Sequence, residues 1–389
     1  MPVVRVKNAF QGVFLFKKRV LAAEPTAGPG DLVAVRDVRD ALVGYGLYNP
    51  KSEILVRMIA GPQEFPDADF WLARLDRAVR LRRDLLRLDE QSNAYRLVHA
   101  EADGLSGLAI DRLNDVLSME AFSLAMYQRA GAIAGALGPL AATKHWIVRP
   151  GPKMVGQEGL EAPIVSSPDC PDRTEVQELG TRFRIRLRSP HKTGFFCDQR
   201  DNRKRLAEYC GGRSVLDLCC YTGGFALQAK RLGDASDVVA VELDEEPLEI
   251  ARENANINQV RIQWVRADAF AYMKDALRSG RRFGVVVLDP PKLIASRAEF
   301  EEGRRKHLDL NRLATALVEP GGLLLTCCCA GLLHADEFER LVLHAARRSA
   351  DGEGRRVQIL ARSGAAPDHP IADNCPETDY LKALWIRVL

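Results

Sequence analysis

Apolar and polar residues change rhythm twice along the chain. Over the first 60 residues the pattern is short and alternating. GDLVAVRDVRDALVGYGLYNP (30–50) sets apolar residues at every second position around a charged turn, and EILVRMIA (53–60) continues in the same style. Such alternation predicts half-buried strands and a small β-rich module. The stretch DFWLARLDRAVRLRRDLLRL (69–88) moves to helical spacing. Leu72, Leu75, Val79 and Leu86 form one stripe, and Arg74, Arg77, Arg80, Arg83 and Arg87 cover the rest. An amphipathic helix follows, its arginines either solvated or facing a nucleic acid. YRLVHAEADGLSGLAIDRLNDVLSMEAF (95–122) returns to strands joined by turns containing Gly and Asn-Asp, and the breaker-rich SSPDCPD (166–172) predicts a linker.

From about residue 175 the rhythm changes again. TRFRIRLR (181–188) puts Phe183, Ile185 and Leu187 on one face of a strand and four arginines on the other. Strand-like runs then alternate with helical ones: SVLDLCC, GGFALQAKRLG, DVVAVEL, EPLEIARENANIN, RIQWVRAD, FGVVVLD, HLDLNRLATALVE and GGLLLTCCC. Alternation of this length implies a parallel sheet covered by helices on both faces.

Length and composition narrow the picture. A chain of 389 residues should divide into two or three units, here 1–70, 71–175 and 176–389. No apolar run approaches the ~20 residues of a membrane-spanning helix, and MPVVRVKNAF lacks the basic-then-apolar layout of a secretory signal. The expectation is a soluble cytoplasmic protein with its nine cysteines reduced. None of them forms a C-x-x-C pair, which argues against a structural zinc site, so no metal is expected. A net charge of +3 does not by itself announce a nucleic-acid binder.

In open α/β sheets ligands sit at the carboxyl ends of the strands, and four acids fall there: Asp217, Glu242, Asp268 and Asp289. After Asp217 the chain turns through Tyr221, Thr222, Gly223 and Gly224, where glycines let the backbone approach a ligand closely. The loop is neither G-x-G-x-x-G nor a phosphate-binding Gly-Lys loop, so pyrophosphate recognition loses support. Each acid could instead be a helix cap. Together they suit a ligand with a ribose diol at Glu242, an adenine edge at Asp268 and a positive charge. S-adenosylmethionine has those parts.

The motifs VLDLCCYTGGFAL, VVAVELDEEPLEIARENANIN, ADAF, VVLDPPK and GGLLLTCCCAGLL resemble, in order, those of class I S-adenosylmethionine-dependent methyltransferases with a Rossmann-like domain. More narrowly, HKTGFFCDQRDNR, DPPK, the cysteine run and APDHPIADNCPETDYLKALWIRVL resemble the bacterial large-subunit (23S) ribosomal RNA cytosine-5 methyltransferases that carry an N-terminal PUA domain. GDLVAVRD and GYGLYNPKSEILVRMI are similar to that family's PUA strands, and AEADGLSGLAIDR to its middle α+β domain. One departure is Gly12-Val13-Phe14, where many members have His-Pro-Trp. The resemblance implies that Gln199 helps hold the cofactor alongside Asp217, Tyr221, Gly223, Glu242, Asp268 and Asp289. It also implies large-subunit ribosomal RNA as partner, with no membrane and with a homodimer left open.

Carbon 5 of cytosine is too electron-poor to attack a methyl sulfonium directly, so a nucleophile must first add at carbon 6, and a thiolate suits that step. Cys327 and Cys329 share one face of the strand and Cys328 points to the other. Cys329 lies nearest the carboxyl end and aligns with the family's nucleophile. Cys327 and Cys328, like Cys219 and Cys220, read as small buried hydrophobes. Asp289 could also hydrogen-bond the cytosine edge. Lys292 stands where another cytosine-5 group places a second cysteine, which leaves the base for elimination unassigned. The arginines of 181–188, His191-Lys192 and Arg200 to Arg205 form a cationic run suited to phosphates. The alternatives are an RNA methyltransferase acting on another base atom without a covalent intermediate, and a noncatalytic ribosome-assembly factor.

Overall fold

The computed structural model describes residues 1–8, 12–152, 154–159, 161–188 and 194–389. His191 and Lys192 of the cationic run lie outside the described residues. The chain forms two compact units. The first is Met1–Glu178 with Ile185–Asp198 and Pro367–Thr378, and the second is Leu179–Arg184 with Gln199–Ala366 and Asp379–Leu389.

The first unit holds a six-stranded sheet over residues 3–60 and a five-stranded sheet over residues 94–166. Val4, Leu15, Val33, Val35 and Val56 make the first sheet's core, supplied by the alternating positions of its strands. The helix Ala68–Arg80 starts at Asp67, whose carboxylate accepts from the Phe70 amide at 3.0 Å. Its last turn widens into a π-helical turn over Leu81–Leu85. The buried stripe is Leu75, Ala78 and Val79. Leu72, expected on that stripe, is instead 46% exposed. Arg74 is not a purely solvated arginine either: it is half-buried and donates to the Gly104 carbonyl at 2.8 Å. Arg82, fully buried, makes a two-pronged pair with Asp103 at 2.7 and 2.9 Å and donates to the Asp368 carbonyl at 2.7 Å. An unpaired buried guanidinium would be costly, and this one is satisfied. Among the described residues no helix is long and apolar enough to cross a membrane.

The second unit is built on one sheet. Its strands are β1 (Ser214–Leu218), β2 (Asp237–Glu242), β3 (Gln263–Arg266), β4 (Phe283–Leu288), β5 (Val318–Cys328), β6 (Val357–Ser363) and β7 (Lys382–Val388). They lie in the order β3-β2-β1-β4-β5-β7-β6. The first five are mutually parallel, and β7 runs antiparallel to both β5 and β6. The order reverses direction at β1, so β1 and β4 flank a crevice at their carboxyl ends, where such sheets bind ligands. β4 is buried at every position, as expected of a central parallel strand covered on both faces. One face packs Leu216, Val239, Val286, Leu324 and Ile386. The other packs Val215, Val238, Val285, Leu323 and Trp385.

Candidate active site

The loop after β1 sets the site's shape. Gly223 has φ +85°, and a Cβ there would lie 2.7 Å from the Trp264 ring, so both conformation and space call for glycine. Cys219 and Tyr221 hold φ of +60° and +51° without that excuse. Such strain in non-glycine residues persists only where surrounding contacts over-determine it. The Cys220 amide donates to the Val241 carbonyl at 3.0 Å, and the Tyr221 amide donates to Glu242 Oε2 at 2.8 Å. Glu242 Oε1 accepts from the amides of Leu243 and Asp244 at 2.8 and 3.2 Å. One carboxylate thus ties the loop after β1 to the loop after β2.

Asp217 lies at the end of β1 and is buried. Its Oδ2 accepts from the Ala226 amide at 2.9 Å, while Oδ1 has no hydrogen-bond partner among the described residues. Burial, reinforced by the negative charges of Asp289 and Glu242, pushes its carboxyl up to about 8. Three acids therefore lie close enough to repel one another, which suits a cationic ligand. Asp268, by contrast, is exposed and caps the helix Ala269–Arg278, its Oδ1 accepting from the Ala271 amide at 2.9 Å. The capping role weighed for all four acids is occupied here.

Gln199 is 3% exposed and is not a surface amide. Its Nε2 donates to Asp289 Oδ2 at 3.0 Å, and its side chain also hydrogen-bonds Cys327. Behind it runs a relay that the sequence did not announce. Asn202 Nδ2 donates to Gln199 Oε1 at 2.6 Å, Ser363 Oγ donates to Asn202 Oδ1 at 2.8 Å, and Trp385 Nε1 donates to Ser363 Oγ at 2.8 Å. Arg203, also buried, lies beside Gly224 and exerts a favourable charge on Asp217. The i, i+3 spacing of Gln199 and Asn202 was a usable sign that both share one helical face. The Asn202 partner Ser363, 161 residues onward, had no local sign.

The three adjacent cysteines separate cleanly. Cys327 is buried against one face of the sheet and Cys328 against the other, and burial pushes both thiols up. Cys329 follows the end of β5 and is half-buried, on the Cys327 side. β4 and β5 pair Leu288 with Thr326, so Asp289 lies level with Cys327 and Cys329 stands two residues further out. Standard strand spacing and rise put the Asp289 and Cys329 Cα atoms roughly 8 Å apart at the carboxyl-end rim. Cys219 and Cys220 lie in the β1 loop, where burial pushes both up strongly. Lys292 is exposed.

A reversing parallel sheet with a glycine turn and acids along its carboxyl rim defines an α/β fold of the class I methyltransferase kind. The comparisons agree. The family model for S-adenosylmethionine-dependent methyltransferases matches residues 96–387, and a PUA-like domain model matches residues 6–60. Ribosomal RNA large subunit methyltransferase I of Pseudoalteromonas atlantica is 34% identical over 381 residues, covering 97% of this chain and 95% of its own. The protein of that name from Aeromonas hydrophila is 36% identical, covering 96% and 94%. A Streptococcus mutans protein described as a SAM-dependent methyltransferase shares the fold along both full chains, with a TM-score of 0.80 at 19% identity. The structure of SMU.776 complexed with SAH does so over 99% of each chain, with a TM-score of 0.79 at 19% identity. The chain belongs to the S-adenosylmethionine-dependent methyltransferase family.

Its cofactor is S-adenosylmethionine, and the residues fit that group. An orphaned buried carboxylate oxygen, mutually repelling acids and a glycine cradle match a ligand that brings a positive charge and hydroxyl donors.

Proposed function

We propose that this protein methylates carbon 5 of a cytosine in large-subunit ribosomal RNA, in the cytoplasm, through a transient covalent bond to Cys329. The relatives named as ribosomal RNA large subunit methyltransferases support the substrate class, and the PUA-like segment supports RNA binding. The reading keeps the three-part division 1–70, 71–175 and 176–389. The observation that carries it is the exposure pattern of the cysteine run. Cys329 alone of the three is half-buried, beyond the strand end and on the rim shared with Asp289.

Asp217, Tyr221, Gly223, Glu242, Asp268 and Asp289 hold the cofactor, with Gln199 fixing the Asp289 carboxylate. Bound there, S-adenosylmethionine supplies an electrophilic methyl group. The Cys329 thiolate adds to carbon 6 of the cytosine, forming an S–C6 bond and leaving carbon 5 enamine-like and nucleophilic. Asp289 accepts a hydrogen bond from the amino group on the cytosine edge and so orients the ring for attack. After carbon 5 has been methylated, a base takes its proton, the electron pair re-forms the C5–C6 double bond, and the S–C6 bond breaks to return the thiolate. A splayed, single-stranded nucleotide presents the base at low cost.

Mapping modified nucleotides by mass spectrometry tests the reading, using large-subunit ribosomal RNA from cells with and without the gene. The expected result is one 5-methylcytosine that disappears with the gene. A methyl group lost from another base or atom overturns it.

A further inference from the structure

Lys382 is a charged side chain that this mechanism does not use. It opens β7, pairs antiparallel with Cys328 and is only 9% exposed. Its Nζ donates to the Ala330 carbonyl at 2.5 Å and to the Tyr380 carbonyl at 2.9 Å. An ammonium carries three donors, and the third has no acceptor among the described residues. A buried lysine is expensive unless something nearby needs its charge. The Ala330 carbonyl belongs to the residue immediately after Cys329, so the ammonium clamps the turn on which that thiol sits.

We propose that Lys382 is the positioning residue of this site: its ammonium fixes the Cys329–Ala330 turn and holds the Cys329 thiol as thiolate. The proposal rests on the cysteine-adduct reading and deepens it. Among the described residues, the groups acting on the ammonium come from four elements and loops. Cys328 and Cys329 come from the end of β5, Asp379 from the approach to β7, and Lys292 from the loop after β4. His307 comes from the helix Phe300–Ala316, where burial and the Lys382 charge hold it down at about 4, so it is neutral near pH 7. Asp289 opposes the effect by pushing the neighbouring thiols Cys327 and Cys328 upward. Cys328 feels the same ammonium, but its burial dominates and its thiol stays up. Cys329 is half-buried beside the same ammonium. Burial also lowers the lysine's own pKa, so the effect operates while Lys382 is protonated and fades as pH rises through that lowered value.

The test follows iodoacetamide alkylation of Cys329 against pH, resolved by peptide mass spectrometry, in the full-length protein without RNA. The wild-type midpoint is expected at least one unit below the ~8.5 of an ordinary thiol. Lys382→Met is expected to slow alkylation at pH 7 about tenfold, and Lys382→Arg to retain most of the wild-type rate. A wild-type midpoint at or above the ordinary value overturns the proposal, and so does a folded Lys382→Met protein with an unshifted profile. If Lys382→Met fails to fold, the wild-type midpoint decides alone. Because no RNA is present, this outcome is independent of which base atom receives the methyl group. A shifted thiol with no RNA adduct would instead sink the cytosine-5 reading.

Discussion

Gln199 Nε2 lies 3.0 Å from Asp289 Oδ2 and is locked there by Asn202, which donates to the amide oxygen of the same glutamine. The glutamine can therefore point only its donor at the acid, and Asp289 is presented to the crevice as an oriented acceptor. Ser363 and Trp385 extend that lock into the sheet.

Gln199→Ala removes the donor, while Asn202 keeps the Gly364 carbonyl at 3.1 Å and the Ser363 hydroxyl at 2.8 Å as partners. A hydrogen bond to a charged group is worth about 1.5–3 kcal/mol, so cofactor affinity measured by calorimetry should fall roughly tenfold to a hundredfold. Unchanged affinity would show that Asp289 is held by other means.

Asp217 predicts a pH dependence of stability. Its carboxyl lies near 8 in the folded protein against an ordinary 3.8, so the native state binds the proton more tightly than the unfolded chain does. Stability from this group is complete below 3.8 and is lost as pH rises through about 8. The melting temperature of the cofactor-free protein should decline over that window, and Asp217→Asn should flatten the decline. At pH 7, binding a cationic cofactor should expel the proton, which calorimetry in buffers of different ionisation enthalpy would detect. An identical apparent enthalpy in all buffers would refute it.

Gly223→Ala forces a side chain into a left-handed conformation and against the Trp264 ring. Strain of this kind costs about 1–3 kcal/mol. Cofactor affinity should drop about tenfold or more, and the thermal midpoint of the cofactor-free protein should fall by about 2–10 °C. Wild-type affinity in this variant would place the ligand elsewhere.

Cys327→Ala and Cys328→Ala remove buried sulfur from opposite faces of the sheet. Each should cost on the order of 1–2 kcal/mol of stability by the cavity left behind. Both should still methylate RNA, as measured by methyl incorporation. Loss of incorporation in a well-folded Cys327→Ala protein would move the nucleophile.

The catalytic unit was legible where physics is local. Runs such as FGVVVLD declare a strand buried on both faces, and acids ending successive runs mark the ligand rim. What escaped the sequence depends on distant pairs. Asn202 meets Ser363, and Lys382 meets Ala330, only once the sheet has formed. The helix at 69–88 was legible as an element, but its buried face was not, because Arg82 enters the core by pairing with Asp103 while Leu72 stays out. The first unit also takes in Pro367–Thr378 from near the other end of the chain, a return that no linear pattern announces.

The central claim is the Cys329 adduct, and trapping tests it most directly. Large-subunit ribosomal RNA carrying 5-fluorocytosine cannot release a carbon-5 proton, so with S-adenosylmethionine the wild-type protein should remain bonded to it through denaturing electrophoresis. The peptide containing residue 329 should carry the nucleotide, and Cys329→Ala should form no adduct. Methylation of the normal RNA by wild-type protein with no adduct on the fluorinated RNA, or an adduct that survives Cys329→Ala, would contradict the account.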